Sequence, residues 1–347
     1  MSISQQELQL AARNHGMPLE ALRWPVTPVG LHYLLIHYDI PAVDEAAWRL
    51  RVGGRVRREL SLSLAELRER PAETRAVTME CAGNGRARLE PHVVSQPWLL
   101  EAVGTAEWTG VPVRALLAEA GAAEDAPEVL FTGLDRGVEG GAEQAYQRSL
   151  PQEEAAAGPL LAYAVNGVPL PPQHGFPLRL IVPGWYGMTS VKWLARIDVL
   201  DEPFAGYQQS VGYRFRASED DPGTPVTRML PRSLMVPPGV PEFMSRARHV
   251  AAGPCELEGR AWSGWGPIEA VEVSADGGAS WAPAVLGAAP PAGAWRGWSF
   301  AWEAVPGEHE LCCRARDAAG NRQPVQADWN LGGYANTSVQ RVPVTVA

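Results

Sequence analysis

The first two thirds of the chain contains short strand patterns interrupted by helix signals. Trp48, Leu50 and Val52 alternate with arginines and stop at a glycine pair, which predicts a strand with one buried face. An S-x-x-E capping box at Ser63 and Glu66 predicts the start of a short helix. Further strands are predicted at 76–79, 129–132, 160–165, 178–182 and 191–200, and further helices at 112–121 and from 149–152. This interleaving favours an α+β domain with mixed packing over a doubly wound sheet.

A proline-rich segment separates this region from one with a different pattern of apolar and polar residues. Pro231, Pro237, Pro238, Gly239 and Pro241 crowd together and predict a domain edge, so we divide the chain into 1–235 and 236–347. Beyond the edge, helix signals disappear. Alternating apolar runs recur at 255–262, 268–274, 298–302, 310–316 and 339–346, with a hairpin turn at 276–278. This pattern predicts an immunoglobulin-like β-sandwich.

Composition narrows the class of protein. The chain has 347 residues, 46% hydrophobic and 20% charged, which predicts a globular protein of about two domains. A net charge of −9 argues against nucleic-acid and anionic-membrane partners. The first thirty residues contain no signal-like apolar region, and no run approaches the length of a membrane helix, so we expect a cytoplasmic protein.

The four cysteines do not form a disulfide framework or a paired zinc pattern. Cys255 has Cys312 or Cys313 as possible partners across the predicted sandwich. Free buried thiols are the favoured state in a cytoplasmic protein.

Several familiar motifs are absent, including the P-loop, G-x-G-x-x-G, H-E-x-x-H and G-x-S-x-G. What stands out is Cys81, which follows a predicted strand and precedes Gly83, Gly85, Arg86 and Arg88. Glycines allow close approach of a ligand, and cations lower the pKa of a thiol. On these residues alone, a buried structural cysteine is still the simpler interpretation.

A second cluster surrounds one predicted strand. His174, Arg179 and Lys192 are spaced along the strand and its following loop, an arrangement that suits a phosphate or a polar heterocycle. Taken alone, the cluster is only a basic strand edge.

Together the two clusters resemble the sulfite oxidase family of molybdopterin enzymes. The shared motifs are Cys-Ala-Gly-Asn from Cys81, His-Gly-Phe-Pro-x-Arg from His174, and Val-Lys-Trp-Leu from Val191, in the family's order and at similar spacing. The resemblance extends from about His32 to the C-terminus. It implies a molybdopterin domain followed by a dimerisation domain, and therefore a homodimer.

The resemblance also assigns roles to residues. Cys81 would be the only protein ligand to molybdenum, a soft thiolate suited to that metal, with one molybdenum-molybdopterin per chain. Arg86 and Tyr213 would act on the substrate, and Trp98 resembles a residue that lines the family's pocket. Aromatic packing explains Tyr213 and Trp98 nearly as well. The implied pterin contacts are His37, Asp135, His174, Arg179, Ser190, Val191 and Lys192.

The sequence departs from the family where an anionic substrate would bind. Two arginines of sulfite-oxidising members are replaced here, by Leu35 and by Gly332. Each lost charge-assisted contact is worth about 1.5–3 kcal/mol. The candidates to replace the charge, by their position in sequence, are Arg88, Arg214, Arg216 and His32.

The resemblance implies oxidation of sulfite to sulfate by oxygen-atom transfer. No His-Pro-Gly-Gly haem signature occurs in the sequence, so we expect no haem and an external electron acceptor such as a c-type cytochrome. One alternative is reduction of an S-oxide or N-oxide at the same centre, which a less cationic pocket favours. Another is a non-catalytic binding or assembly protein.

Overall fold

The structure, a computed structural model, describes residues 3–347. Within this range the first domain combines five short α-helices with two main sheets. The helices are α1 (Gln5–Arg13), α2 (Leu64–Arg68), α3 (Val113–Ala120), α4 (Gln152–Ala157) and α5 (Tyr207–Ser210). The strands are β1 (Leu50–Gly54), β2 (Leu60–Leu62), β3 (Glu73–Glu80), β4 (Val103–Pro112), β5 (Glu128–Glu139), β6 (Ala142–Pro151), β7 (Leu160–Val165), β8 (Val168–Pro169), β9 (Arg179–Ile181), β10 (Leu194–Val199), β11 (Arg214–Phe215) and β12 (Thr224–Pro225).

The two main sheets of this domain share one apolar core. The first has the order β2-β1-β10-β5-β6, and only β1 and β10 run parallel. The second has the order β3-β4-β7-β8, with β9 paired to β7. Leu50, Val52, Phe131 and Leu180 are fully or almost fully buried in this core, so the alternation read from β1 does place one face inward.

The predicted capping box of α2 is confirmed. The Ser63 hydroxyl accepts from the Glu66 amide at 3.2 Å, and the Glu66 carboxylate accepts from the Ser63 amide at 2.8 Å. These two bonds satisfy amides that the first turn of a helix leaves unpaired.

The second part of the chain is a β-sandwich of two sheets, which confirms the predicted α+β domain followed by a β-sandwich. Its strands are β13 (Arg232–Met235), β14 (Val240–Pro241), β15 (Arg248–Val250), β16 (Gly253–Trp262), β17 (Ile268–Ser274), β18 (Ala282–Pro283), β19 (Val285–Leu286), β20 (Arg296–Ala304), β21 (Gly307–Asp317) and β22 (Gln340–Val346). One sheet has the order β13-β16-β20-β19 and the other β14-β15-β22-β21-β17-β18. Leu257, Trp298 and Leu311 fill the space between them.

The strand β13 pairs with β16, so residues 232–235 belong to the sandwich sheet although they precede the expected division at 235. The four cysteines are free, with Cys312 and Cys313 buried in β21 and Cys255 half-buried in β16. Among residues 3–347, no helix has both the length and the apolar character needed to cross a bilayer.

Candidate active site

Cys81 lies immediately after β3, at the start of a tight turn. Its amide donates to the carbonyl of Ala102 at 2.9 Å, and its carbonyl accepts from the Asn84 amide at 2.9 Å. Gly85 has a φ of +90°, and a Cβ there would lie 2.7 Å from the carbonyl oxygen of Asn336. A glycine is therefore required at this position. The turn leaves the Cys81 side chain 7% exposed, at the wall of a cavity.

This inner cavity, as we call the space bounded by Cys81, Asp135, His174, Arg179 and Lys192, encloses about 630 Å³ of empty space, part of it open to solvent. It brings together residues from the end of β3, the irregular middle of β5, the start of β9 and the loop before β10. Eight of the predicted site residues line it: His37, Cys81, Asp135, His174, Arg179, Ser190, Lys192 and Tyr213.

Two predicted residues lie elsewhere. The Val191 side chain is buried in the apolar core of the first domain and does not line the inner cavity. Its backbone carbonyl accepts from the Leu180 amide at 2.8 Å and its amide donates to the Thr189 carbonyl at 3.0 Å, so both backbone groups already have partners within the protein. Arg86 lines a separate groove that opens beside Cys81.

Two cations of the inner cavity have no carboxylate in contact. Arg179 donates to the carbonyls of His174 and Ser190 at 3.0 and 3.3 Å. Lys192 donates to the carbonyls of Leu35 and Gln173 at 2.6 and 3.2 Å. Neither forms an ion pair with any residue in the described range 3–347. Burial, reinforced by the charge of Arg179, lowers the pKa of Lys192 to about 7, and burial lowers the pKa of Arg179 to about 10. Both shifts mark a site that an anion would stabilise.

The inner cavity also holds buried polar atoms that lack a hydrogen-bond partner in the described structure: His32 Nε2, Asp135 Oδ1 and Arg179 Nε. Burial raises the pKa of Asp135 to about 6, although Lys192 opposes the shift. Burial lowers the pKa of His174 to about 2 and that of His32 to about 4, so both imidazoles are neutral at pH 7. An unsatisfied buried polar group costs about 1–3 kcal/mol. A ligand with a polar heterocycle and a phosphate would satisfy these atoms and both cations.

The outer groove, as we call the space lined by Leu35, Arg86, Trp98, Glu139 and Tyr334, adjoins the inner cavity. Four residues line both spaces: Leu35, His37, Cys81 and Tyr213. Arg86 is 5% exposed and donates through Nε to the Gly332 carbonyl at 3.0 Å and through Nη1 to the Gln96 carbonyl at 3.3 Å. Within residues 3–347 its Nη2 has no partner and its charge has no carboxylate. The guanidinium is therefore placed to receive an anion beside the thiol.

The positions that depart from the family border this groove. Leu35 is half-buried and packs against the apolar cluster that contains Cys81 and Trp98. A Cβ at Gly332 would lie 2.2 Å from Cε2 of Tyr334, so the tyrosine ring fills the space into which a side chain at 332 would extend. The ring also lies 5.2 Å from the guanidinium carbon of Arg86.

None of the four candidates restores a positive charge to the outer groove. His32 lines the inner cavity and is neutral there. Arg214 and Arg216 donate to the backbone carbonyls of Pro222 and Ser210. Arg214, Arg216 and Arg88 line neither the inner cavity nor the outer groove.

Tyr213 stands where the two spaces meet, with a φ of +51° that is strained for a side chain of this size. Burial raises the pKa of its phenol, and the neighbouring Tyr146 phenol raises it further, so the hydroxyl stays protonated. Tyr146 in turn donates to the Met188 carbonyl at 2.9 Å. The guanidinium carbon of Arg148 lies over the Tyr213 ring, 5.6 Å from its centroid.

Sequence reasoning missed Tyr146, Arg148, Glu139 and Tyr334. Arg148 is 2% exposed on β6, and nothing in a strand of mixed polar residues marks one arginine as buried. Glu139 ends the neighbouring strand and accepts hydrogen bonds from His37 at 3.0 Å, Tyr38 at 2.9 Å and Gln208 at 2.6 Å. These contacts join segments far apart in sequence, so no local sequence pattern predicts them.

Comparison with known proteins agrees with this geometry. Residues 37–208 match the oxidoreductase molybdopterin binding domain, and residues 228–347 match the Mo-co oxidoreductase dimerisation domain. Sulfite oxidase of Gallus gallus is 39% identical across 91% of this chain and 72% of its own length. Mitochondrial sulfite oxidase of Homo sapiens is 35% identical across 93% of this chain, which spans 62% of the human protein.

A solved structure extends the likeness to the fold. The sulfane dehydrogenase SoxCD from Paracoccus pantotrophus matches with a TM-score of 0.81 and 27% identity, over 96% of this chain and 86% of that one. The cavity beside Cys81, the two matched domains and these relatives lead to one conclusion: the chain is a molybdenum-dependent oxidoreductase of the sulfite oxidase family.

Proposed function

We propose that this protein oxidises sulfite to sulfate and passes two electrons to an external acceptor. The supporting observation is the position of the Cys81 thiol, between an inner cavity whose two basic side chains contact no carboxylate and an outer groove with Arg86. In the overall reaction sulfite and water give sulfate, two protons and two electrons. The chicken and human relatives are sulfite oxidases by name, which supports the choice of substrate.

The inner cavity would hold the molybdopterin, one per chain. Arg179 and Lys192 would bind its phosphate, and Asp135 Oδ1 and His32 Nε2 would gain the partners they lack. The Ser190 hydroxyl accepts from the Val182 amide at 3.1 Å, which leaves its proton free to donate to the cofactor. His37 and His174 complete the wall. When bound, the molybdenum centre supplies two-electron redox chemistry and oxygen-atom transfer.

Cys81 would give its sulfur to the metal. Burial raises the pKa of the thiol above its usual value, and the charge of Arg86 only partly opposes this shift. The thiolate is therefore not the favoured form of an isolated side chain here. A bound metal would hold it deprotonated, as metals do with coordinating thiols.

On the substrate side, Arg86 and Tyr213 have separate tasks. Arg86 would bind an oxyanion through its free Nη2 and hold it beside Cys81. The protonated phenol of Tyr213 faces both spaces and would donate a hydrogen bond to a substrate oxygen. The Arg148 side chain and the Tyr334 ring pack against the Tyr213 ring and would hold it in place.

Sulfite-dependent reduction of ferricyanide tests this proposal. Molybdenum-replete wild-type protein is expected to turn over, and Cys81→Ser is expected to lose turnover. Cys255→Ser, at a half-buried thiol of the sandwich, is the matched control and should keep the wild-type rate. Absence of sulfite turnover by wild-type protein with a full complement of molybdenum would refute the assignment.

A second candidate function is reduction of a neutral S-oxide or N-oxide at the same centre. Leu35 in the outer groove and the Tyr334 ring over Gly332 favour it, because a neutral substrate does not need the absent charges. A panel of sulfoxides and N-oxides with a reduced viologen as donor distinguishes the two directions. Membership of the family makes the non-catalytic alternative the weakest of the three.

We also propose a homodimer formed through the sandwich, which matches a dimerisation domain. Light scattering at micromolar concentration is expected to give the mass of two chains.

We propose that the electron acceptor is a separate protein such as a c-type cytochrome, and that this chain binds no haem. The cytoplasmic location stays a prediction.

A further inference from the structure

One wall of the outer groove is apolar, while polar residues such as Gln96 and Gln208 line other parts of it. Leu35, Trp98 and Tyr334 form its walls beside Cys81, and Leu10 of α1 and Val138 of β5 continue the apolar lining outward. Val138 is 77% exposed, so the lining reaches the surface. Sulfite is a small polar ion with no surface that would gain from contact with such walls.

The charges of the groove suit a single negative charge. Among its described lining residues, Arg86 is the one arginine and there is no lysine, and Glu139 is the one acidic residue. Burial alone would raise the pKa of Glu139, but hydrogen bonds from His37, Gln208 and Tyr38 hold it below its usual value, so the carboxylate is ionised near pH 7. One buried cation balances one anionic group, while Glu139 opposes a second negative charge on the same substrate.

We propose that the outer groove selects monoanionic organic sulfinates, R–SO₂⁻, with the sulfinate on Arg86 and the organic group against Leu35, Trp98 and Tyr334. This inference rests on the proposed oxidation of a sulfur oxyanion at the Cys81 site and names the substrate class. A sulfinate keeps the lone pair on sulfur that sulfite has. It exchanges one anionic oxygen for a carbon substituent that apolar walls can desolvate.

The reaction balances as for sulfite. R–SO₂⁻ and water give R–SO₃⁻, two protons and two electrons. A new sulfur–oxygen bond forms, the carbon–sulfur bond stays intact, and two equivalents of a one-electron acceptor take the electrons. The protons leave to solvent.

A substrate series tests the proposal. We compare kcat/KM for sulfite, methanesulfinate and benzenesulfinate with molybdenum-replete protein and ferricyanide as acceptor. Benzenesulfinate is expected to exceed methanesulfinate by about tenfold or more, because the larger group buries more apolar surface. The kcat/KM for benzenesulfinate is also expected to exceed that for sulfite. Turnover of sulfite with sulfinates slower than sulfite would overturn the inference and leave the proposed function standing. No turnover of any member would overturn both.

A positive charge added to the outer groove should shift the preference from benzenesulfinate towards sulfite. Leu35→Arg is expected to raise kcat/KM for sulfite and to lower it for benzenesulfinate, so their ratio changes by about tenfold or more. Val285→Arg adds the same charge at a 71%-exposed apolar position of the sandwich and should leave the ratio unchanged. An unchanged ratio in Leu35→Arg, with molybdenum content kept, would contradict the assigned place of the organic group.

Binding of the products gives a readout that does not require turnover. Calorimetric titration of oxidised, molybdenum-replete protein should show benzenesulfonate binding at least about tenfold more tightly than sulfate. Removal of the wall by Tyr334→Ala should reduce that difference. Equal affinities in the wild-type protein would count against an apolar binding site.

Discussion

Arg232 Nη1 donates to Glu80 Oε1 at 2.6 Å, and both side chains are fully buried or nearly so, at 0% and 1% exposed. Arg232 begins the first sandwich strand, and Glu80 is the residue before Cys81. The same carboxylate accepts from Trp262 Nε1 at 2.8 Å and from Asn84 Nδ2 at 3.0 Å. The sandwich therefore supports the Cys81 turn directly, through one ion pair and one indole.

We predict that Arg232→Met lowers the free energy of unfolding by about 3–5 kcal/mol, because it leaves the Glu80 carboxylate buried without its cation. The matched control is Arg136→Met, which breaks a pair with Glu143 at 2.6 Å where both side chains are more than 60% exposed. That change should cost less than about 1 kcal/mol. Denaturant unfolding measures both. Equal losses would show that burial of the pair is not what matters.

The pH dependence of stability should report on Lys192, the only lysine in the sequence. Its pKa is about 7 in the folded, cofactor-free protein and about 10.4 in an unfolded chain. Between these values the unfolded state binds more protons, so the stability of cofactor-free protein should rise from about pH 7 to about pH 10. Thermal unfolding in that range measures it.

Lys192→Met removes the titrating group and should flatten this rise. Inorganic phosphate bound beside Arg179 and Lys192 would favour the charged lysine, and so should stabilise the wild type most near pH 7. If phosphate stabilises Lys192→Met as strongly as the wild type, the anion binds elsewhere.

Tyr213→Phe should distinguish a role of the Tyr213 hydroxyl in orienting the substrate from a role of the ring in packing. The ring stays between Arg148 and Tyr334, whose ring centroid is 5.3 Å away, so unfolding should be nearly unchanged. Loss of the hydroxyl is expected to lower kcat/KM by about 10- to 100-fold at unchanged molybdenum content. Tyr163→Phe, at a half-buried tyrosine of β7, is the control and should keep full activity. Wild-type kcat/KM in Tyr213→Phe would remove the phenol from the mechanism.

The Tyr334 ring should make position 332 intolerant of any side chain. Gly332→Ala is expected to cost about 1–3 kcal/mol, because its Cβ would overlap the ring, which Arg86 and Tyr213 hold in place. In a Tyr334→Ala background the same change should cost less than about 1 kcal/mol. A double-mutant cycle measures the difference. An additive result would mean that the ring moves away freely.

The sequence predicted the residues that line the inner cavity better than it predicted the strands and side chains around them. The turn at Cys81 and the cluster from His174 to Lys192 are local motifs, and the structure brings their side chains to one cavity. The strand β4 was not predicted, because Gly104, Thr105 and Gly110 interrupt its apolar run although the strand is largely buried.

The rest of the site depends on contacts over long sequence distances. Arg148 and Ser149 of β6 are buried polar residues, so this strand shows no apolar period to identify it. Tyr334 reaches Arg86 from a loop near the C-terminus. The replaced arginines were evident from the resemblance, but what fills the space at Gly332 depends on packing that no local pattern encodes.

The central claim is that Cys81 binds molybdenum in the inner cavity. X-ray absorption at the molybdenum edge, on wild-type protein and Cys81→Ser with matched metal and pterin content, tests it most directly. We predict one sulfur neighbour fewer around molybdenum in the variant. The same number of sulfur neighbours in both proteins would contradict it.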